Sequence, residues 1–170
     1  MDRRLLAAAY DRSAGGYDER FRELQRVKFR AAAPWFRPGP TCVDAGGGTG
    51  LLLEWAAAEK PELLRARWLI VDLSLGMLKL GRARTPLVAA ADLSRLPVRE
   101  ADLICAFTSI LDEVPRALKE LASALKPGGQ LIVSFLAAEA PARFPRPLRL
   151  EAGPSPAGQD VVFALRKDQS

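Results

Sequence analysis

The chain contains no histidine, only two cysteines and no long uninterrupted apolar run. Without histidine, an imidazole general base, an imidazole metal ligand and a Ser-His-Asp triad are all excluded. Cys42 and Cys105 both fall inside predicted strands, so we interpret them as reduced core residues and expect neither a disulfide nor a metal site. No apolar stretch reaches the roughly 18 residues that a membrane span needs, and the first residues do not form a signal peptide. We therefore expect a cytoplasmic protein without membrane contact.

The composition is that of an ordinary globular protein, and the basic charge is unevenly spread. Of the 170 residues, 49% are hydrophobic and 26% are charged, which predicts a single domain over residues 1–170. The net charge is +5; residues 1–37 hold nine Lys/Arg against five Asp/Glu, whereas residues 38–136 hold eleven of each. The basic segment is either a solvated helix face or a surface for an anionic partner such as RNA.

Helical patterns and short apolar runs alternate along the chain, which predicts an α/β fold. Helices are predicted at residues 3–12, 17–33, 51–59, 75–83 and 115–125. Strands are predicted at residues 41–45, 67–73, 87–91, 102–107, 130–136, 147–151 and 160–165. Most of the first five strands are apolar throughout, as expected when helices cover both faces of a doubly wound parallel sheet. The last two strands read as an antiparallel hairpin joined through residues 153–158. In the second helix, an inward stripe is predicted at Tyr17, Phe21, Leu24, Lys28 and Ala31.

A glycine-rich turn follows the first predicted strand. Asp44 lies near the carboxyl end of that strand, and Gly46, Gly48 and Gly50 follow at alternate positions. Glycine permits positive φ and lets a ligand approach the backbone. The dinucleotide-binding fingerprint has the different spacing G-x-G-x-x-G. The acid followed by G-x-G-x-G instead resembles motif I of the class I S-adenosylmethionine (SAM) dependent methyltransferases.

Further residues in register with the predicted strands extend this resemblance over roughly residues 10–136. Asp72 ends the second strand 22 residues after Gly50, Asp92-Leu93 follows the third, and Lys126-Pro127-Gly128-Gly129 precedes the fifth. The resemblance implies a Rossmann-like, mostly parallel, seven-stranded sheet with a C-terminal antiparallel hairpin. It also implies an N-terminal helical lid (1–37), a SAM-binding core (41–136) and a closing hairpin (147–166).

The resemblance also implies roles in binding SAM, whose product is S-adenosylhomocysteine (SAH). The glycine loop would run under the methionine part, Asp44 would orient its amino group, Asp72 would accept the ribose hydroxyls and Asp92 would contact the adenine amine. Met77 would pack on adenine or is simply a core methionine. Tyr17 would reach the SAM carboxylate or close over the substrate, or it only packs on the sheet. The full set of implied cofactor residues is Tyr17, Asp44, Gly46, Gly48, Gly50, Asp72, Leu73, Met77, Asp92, Leu93 and Phe107.

The fourth strand, where methyl donor and acceptor should meet, carries no recognisable catalytic motif. Phe107 to Val114 contains no N/D-P-P-Y/F run, and no residue can be assigned a catalytic role. Asp112 or Glu113 is a candidate base, although Asp112 is also placed to cap the helix that opens at Pro115. Methyl transfer can proceed through proximity and in-line orientation alone.

The sequence leaves the methyl acceptor and the partner open. The short stretch 137–146 predicts an uncapped pocket, which suits RNA, a protein or a partner chain such as a second copy, while a small metabolite under the lid fits equally well. A non-catalytic SAM-binding module that supports a partner protein is the main alternative. A nicotinamide-dependent oxidoreductase is disfavoured by the glycine spacing and by the absence of Tyr-x-x-x-Lys.

Overall fold

A seven-stranded sheet forms the centre of the computed structural model, which describes residues 2–169. The strands are β1 (Thr41–Ala45), β2 (Arg67–Asp72), β3 (Val88–Ala90), β4 (Ala101–Phe107), β5 (Leu125–Leu136), β6 (Leu148–Ala157) and β7 (Asp160–Lys167). Their order is β3-β2-β1-β4-β5-β7-β6; β1 to β5 are parallel, and β7 runs antiparallel to both β5 and β6. The predicted mostly parallel sheet with a C-terminal hairpin is confirmed.

Five α-helices within residues 2–169 flank the sheet, and side chains cap the first turn of two of them. The helices are α1 (Arg3–Ser13), α2 (Tyr17–Ala32), α3 (Leu51–Glu59), α4 (Leu75–Gly81) and α5 (Val114–Ala124). Asp2 caps α1 by accepting from the N–H groups of Arg4 and Leu5, and Ser74 caps α4 by accepting from that of Met77. None of the helices within residues 2–169 combines the length and the apolarity needed to span a bilayer.

Both faces of the sheet are covered by apolar packing. On one face, Leu118 and Leu121 of α5 are fully buried against β4 and β5. On the other, Phe29 of α2 packs on Trp55 of α3 with ring centroids 5.7 Å apart. Every residue of β4 is buried, and Cys42 and Cys105 are free, buried thiols, as predicted. The core therefore fixes the carboxyl ends of the central strands, where parallel sheets bind ligands.

The inner face of α2 differs from the predicted stripe. Lys28 is buried, as predicted, but Phe21 and Leu24 are 37% and 59% exposed, and Phe29 and Ala32 are buried instead. The helix is turned so that Phe29 enters the core and the Lys28 ammonium meets a buried carboxylate. The prediction of Phe21 and Leu24 as inward residues was wrong, because periodicity alone does not choose between neighbouring helical faces.

The largest boundary differences are in the last strands, and one predicted helix cap is also wrong. β5 begins at Leu125, because Leu125 pairs with Ala101 before a bulge shifts the register, and the ladder resumes at Gln130 opposite Leu103. β6 continues to Ala157, so the hairpin turn is residues 158–159 and not 153–158. Asp112 does not cap α5; the residue at the cap position is Glu113, which has φ +46° and makes no side-chain capping bond.

Candidate active site

A cavity lies at the carboxyl ends of β1, β2 and β4, under α1 and α2. The sheet order reverses between β1 and β4, which is the switch point where open α/β sheets bind ligands. Ten of the eleven cofactor residues predicted from the sequence line this cavity: Tyr17, Asp44, Gly46, Gly48, Asp72, Leu73, Met77, Asp92, Leu93 and Phe107. Acids and glycines that are spread along the sequence therefore lie together in the wall of one cavity.

Gly50 is the exception, and its role is in the fold. It precedes α3 with φ +83°, and a Cβ there would lie 2.8 Å from Cδ1 of Ile70. Gly50 is not among the cavity-lining residues; the structure shows its part in the turn into α3, and a contact with the ligand stays a prediction.

The other two glycines of the motif serve different purposes. The N–H groups of Gly46 and Gly47 donate to the carbonyl of Val71, which fixes the loop across β2. A Cβ on Gly46 would lie 2.2 Å from Cβ of Ser109, so protein fills the space there. At Gly48, with φ +55°, the nearest atoms to a Cβ would be Oδ2 of Asp72 and Sδ of Met77, 3.9 and 4.0 Å away. Gly48 is therefore where the loop leaves room for a ligand.

Asp44 is buried at the base of the cavity, with only 4% of its surface exposed. Burial, and secondarily the charge of Asp72, raises the pKa of Asp44 from 3.8 to about 7. A carboxyl group with this pKa is about half ionised near neutral pH. It is suited to a ligand that brings a positive charge, because such a charge would favour the ionised form.

Asp72 is held by backbone donors on both of its oxygens. Oδ2 accepts from the N–H of Gly48 at 2.9 Å, and Oδ1 accepts from that of Ser74 at 2.8 Å. Burial raises the pKa of Asp72, and these hydrogen bonds partly offset the effect. The carboxylate is thus oriented between the glycine loop and the start of α4, with lone pairs left for ligand hydroxyls.

The third predicted acid, Asp92, lies beneath α1. Its Oδ1 accepts from the N–H of Ser94 at 2.7 Å, while its Oδ2 pairs with Nε of Arg3 at 3.1 Å. The same guanidinium donates to Oδ1 of Asp112 at 2.6 Å. Arg3 therefore ties α1 to two carboxylates of the cavity wall, a role that no local sequence signal indicates.

A second contact fastens α1 to the sheet edge. Oδ1 of Asp11 accepts from Oγ of Ser74 at 2.5 Å and from the N–H of Gly76 at 2.8 Å, which holds the pKa of Asp11 below its usual range. The Tyr10 and Tyr17 rings meet edge-on with centroids 6.5 Å apart. Burial raises the pKa of Tyr17 to about 12, so its hydroxyl stays protonated. Tyr10 and Tyr17 thus belong to the helical side of the cavity wall.

The end of β4 is polar but already hydrogen-bonded. Thr108, at φ +50°, accepts from Nζ of Lys28 at 2.7 Å and lies 3.0 Å from Oγ of Ser134. Lys28 also pairs with Oδ2 of Asp160 at 2.6 Å. A β-branched residue at positive φ is strained, and this network holds Thr108 there.

Among residues 2–169, the two carboxylates next to the end of β4 are both engaged in ion pairs. Asp112 pairs with Arg3, and Oε2 of Glu113 pairs with Nη1 of Arg116 at 3.0 Å. Oγ of Ser109 donates to the carbonyl of Ala45 at 2.8 Å. The cavity can therefore hold and orient reactants, but its carboxylates near β4 are engaged with arginines.

Many of the basic side chains in the N-terminal segment form ion pairs with other residues of the protein. Arg3, Arg22, Arg26, Lys28 and Arg30 each pair with an Asp or Glu side chain. These contacts weaken the case for an anion-binding surface, and a partner on this segment stays a prediction.

Comparison with known proteins agrees with the geometry. The family described as "Methyltransferase domain" matches residues 43–133, from β1 to β5. The malonyl-[acyl-carrier protein] O-methyltransferase of Serratia marcescens is 30% identical over 81% of this chain and 55% of its own length. The demethylmenaquinone methyltransferase of Corynebacterium kroppenstedtii is 33% identical over 70% of this chain and 49% of its own. The chain spans about half the length of these curated relatives.

A solved structure supports the fold over nearly the whole chain. A SAM-dependent methyltransferase from Thermotoga maritima superposes with a TM-score of 0.68, covering 94% of this chain and 98% of its own. Its sequence is 21% identical, so the likeness concerns the fold alone.

Proposed function

Since the chain belongs to the methyltransferase-domain family, we propose that it transfers a methyl group from SAM to an acceptor bound at the end of β4. The observation that carries this proposal is the convergence of Asp44, Asp72 and Asp92 on one cavity, beside the open backbone at Gly48. Asp44 would bind a cation, Asp72 and Asp92 would bind hydroxyl or amine groups, and the backbone at Gly48 would lie against the ligand.

The residues of the cavity fit SAM part by part. Asp44 would face the ammonium group, Asp72 the ribose hydroxyls and Asp92 the adenine amine. Gly48 would let the ligand approach the loop backbone, and the buried Met77 would pack on the adenine ring. SAM supplies an activated methyl group on a positively charged sulfur. The chain would fix that group in line with the acceptor and exclude water with Phe29, Phe107 and the helices α1 and α2.

The end of β4 bears on the acceptor. Among residues 2–169, the two carboxylates next to the end of β4, Asp112 and Glu113, are both paired with arginines and neither is poised to take a proton from a weakly acidic acceptor. We propose that the acceptor brings its own nucleophile, either a group that ionises near neutral pH or an unprotonated amine. The names of the curated relatives point to a carboxyl-bearing substrate and a quinone nucleus, which differ widely. We therefore propose a type of reactive group for the acceptor and not a particular compound.

Calorimetric titration with SAH, SAM and NAD tests the cofactor. We expect SAH and SAM to bind with one site per chain and NAD not to bind. A ligand that binds only the native state stabilises it by about 2.7 kcal/mol at 100 times its dissociation constant, so a thermal shift gives an independent readout. Asp72→Asn should lose most of this binding while keeping its far-ultraviolet circular dichroism. A protein that binds NAD, or none of the three, contradicts the proposal.

A SAM-binding module without catalysis is the second candidate, and the paired carboxylates at β4 favour it. It predicts SAH binding but no SAH release from SAM with any acceptor. Incubation with radiolabelled methyl-SAM and small carboxylic acids, phenols and amines separates the two, because only an enzyme labels an acceptor and releases SAH. Labelling abolished by Asp72→Asn would exclude the non-catalytic module.

A further inference from the structure

A cluster of polar and charged side chains holds the glycine loop from outside the cavity. Asp18 of α2, Glu54 of α3 and Arg84, in the turn after α4, meet around Thr49 of the loop. Thr49 is fully buried, and the three charged side chains are mostly buried. None of the four is among the described residues that line the cavity. The cluster therefore contacts the loop and not the space that a ligand would fill.

Arg84 binds the loop and two helices at the same time. Its Nη1 donates to the carbonyl of Thr49 at 2.6 Å. Its Nη2 donates to Oδ2 of Asp18 at 2.7 Å and also to Oε2 of Glu54. Because a guanidinium presents its donors in a fixed planar fork, this one side chain fixes the loop, α2 and α3 relative to one another.

The side chain of Thr49 completes the arrangement. Its Oγ1 donates to Oδ1 of Asp18 at 2.5 Å, so that Asp18 accepts from Thr49 on one oxygen and from Arg84 on the other. The end of α4 packs on the same stretch of backbone, where a Cβ on Gly81 would lie 3.2 Å from the carbonyl oxygen of Gly48. The loop is thus held at Thr49 and at the Gly48 carbonyl, while the space beside the Gly48 Cα stays open toward the cavity.

The loop needs this support because its own residues are flexible. Gly46, Gly48 and Gly50 all have positive φ, at +71°, +55° and +83°. Glycine loses more conformational entropy on ordering than any other residue. A ligand that binds the loop backbone must offset this entropy loss unless the loop is already ordered.

We infer that Arg84 is a positioning residue for the SAM site, which together with Asp18 and Thr49 holds the glycine loop in its binding conformation before the ligand arrives. The inference rests on the proposed function. Arg84 acts through the Thr49 carbonyl and touches no ligand in the cavity. Its contribution is to spare the ligand the entropy of ordering the loop.

Arg84→Met tests the inference, because it removes the guanidinium and keeps an apolar stem. We expect its affinity for SAH, measured by calorimetric titration well below its melting temperature, to fall about tenfold, the loss typical of one charge-assisted hydrogen bond. Arg82→Met is the matched control: it removes the same charge from an exposed side chain two residues earlier and should bind SAH normally.

Hydrogen exchange of the protein without ligand gives a second readout. The amides of Gly46, Gly47, Gly48 and Gly50 all donate within the protein, so their exchange reports opening of the loop. In Arg84→Met the exchange of residues 46–50 should be faster, while that of the hairpin of β6 and β7 should be unchanged.

Conservative variants separate positioning from charge. Arg84→Lys keeps the positive charge, but one ammonium lacks the fork that reaches the Thr49 carbonyl and the carboxylates together, so this variant should lose nearly as much affinity as Arg84→Met. Thr49→Val removes the hydroxyl donor at nearly the same volume and should also weaken SAH binding. Thr49→Ser keeps that donor and should bind SAH like wild type.

Other outcomes overturn the inference. Unchanged SAH affinity in Arg84→Met would remove Arg84 from the positioning of the site. Weaker binding without faster exchange of residues 46–50 would mean that loop order is not the cause. Faster exchange along the whole chain would give Arg84 a role in stability only. A wild-type protein that binds no SAH overturns the proposed function, whereas the exchange of the ligand-free loop still shows whether Arg84 orders it.

Discussion

The buried carboxyl of Asp44 should couple cofactor binding to the uptake and release of protons. Its pKa is about 7 in the folded protein, against an ordinary value of 3.8, because burial and the neighbouring Asp72 disfavour its charge. An ammonium group bound beside it would favour the ionised form and lower this pKa. Binding should therefore expel the proton wherever Asp44 is protonated. Below pH 7, the affinity for SAH should fall by about tenfold per pH unit while the ligand amine stays charged.

Titration calorimetry measures this coupling directly. Repeating the SAH titration at pH 6 in buffers with different ionisation enthalpies gives the number of protons released, which we expect to approach one. At pH 8 the number contributed by Asp44 should be close to zero. Asp44→Asn removes the titrating group, so its proton release at pH 6 should vanish and its affinity should be low at both pH values.

Asp44 should also make the stability of the ligand-free protein depend on pH. A carboxyl whose pKa is raised by folding keeps its proton in the native state over the range where the unfolded chain loses it. The free energy of unfolding should therefore decrease as the pH rises from about 4 to about 7, by up to about 4 kcal/mol from Asp44. Urea denaturation of wild type and Asp44→Asn across this range isolates that part. A wild type that releases no proton on binding SAH at pH 6, or matches Asp44→Asn in both assays, refutes the reasoning.

Three further predictions follow from individual contacts. Gly48→Ala should weaken SAH binding at least about tenfold, because its Cβ enters the cavity. Gly158→Ala is the control: Gly158 also has a left-handed conformation, at φ +70°, but has open space around it, so this variant should strain the backbone and still bind SAH normally. Equal losses in a binding titration would mean that strain alone is responsible. Lys28→Met should lower the free energy of unfolding, measured in urea, by about 3–5 kcal/mol, because it leaves Asp160 buried without its ion-pair partner. Adding Asp160→Asn should recover part of the lost stability. A Lys28→Met protein as stable as wild type would contradict this prediction. Arg3→Gln should speed SAH association in stopped-flow fluorescence by releasing α1, and an unchanged rate would show that its ion pairs do not limit entry.

The fold could be predicted because its main determinants are local. Apolar runs for buried parallel strands and glycine or proline at the turns gave the correct bounds for β1 and α3. The face of α2 could be predicted only in part. Lys28 was predicted to point inward and is buried, with its ammonium paired to Asp160, whereas Phe21 and Leu24 of the same predicted stripe are exposed. A pairing so distant in sequence leaves no local signal.

Some residues of the candidate site could likewise be predicted from the sequence, and others could not. Asp44, Asp72 and Asp92 were predictable because an acid at the end of a parallel strand must lie at one edge of the sheet. Gly46 was interpreted as a ligand-clearing glycine of the same kind as Gly48, but the contact with Ser109 shows that a side chain there would first disturb the protein. Arg3 lies on a helix whose docking is set by tertiary contacts, so its position in the cavity wall could only come from the structure.

The carboxylates of the cavity differ in what a ligand must displace, and this suggests an order of binding. Asp72 is oriented by backbone N–H groups, which a ribose hydroxyl need not disturb. Asp92 is paired with Arg3, so an adenine amine must compete with a guanidinium that also holds α1 to Asp112. The groups near β1 and β2 can therefore engage first, while full contact at Asp92 requires Arg3 to shift. On this argument Arg3→Gln should affect the rate of SAH association more than Asp72→Asn does, and Asp72→Asn should affect the equilibrium affinity more than Arg3→Gln does.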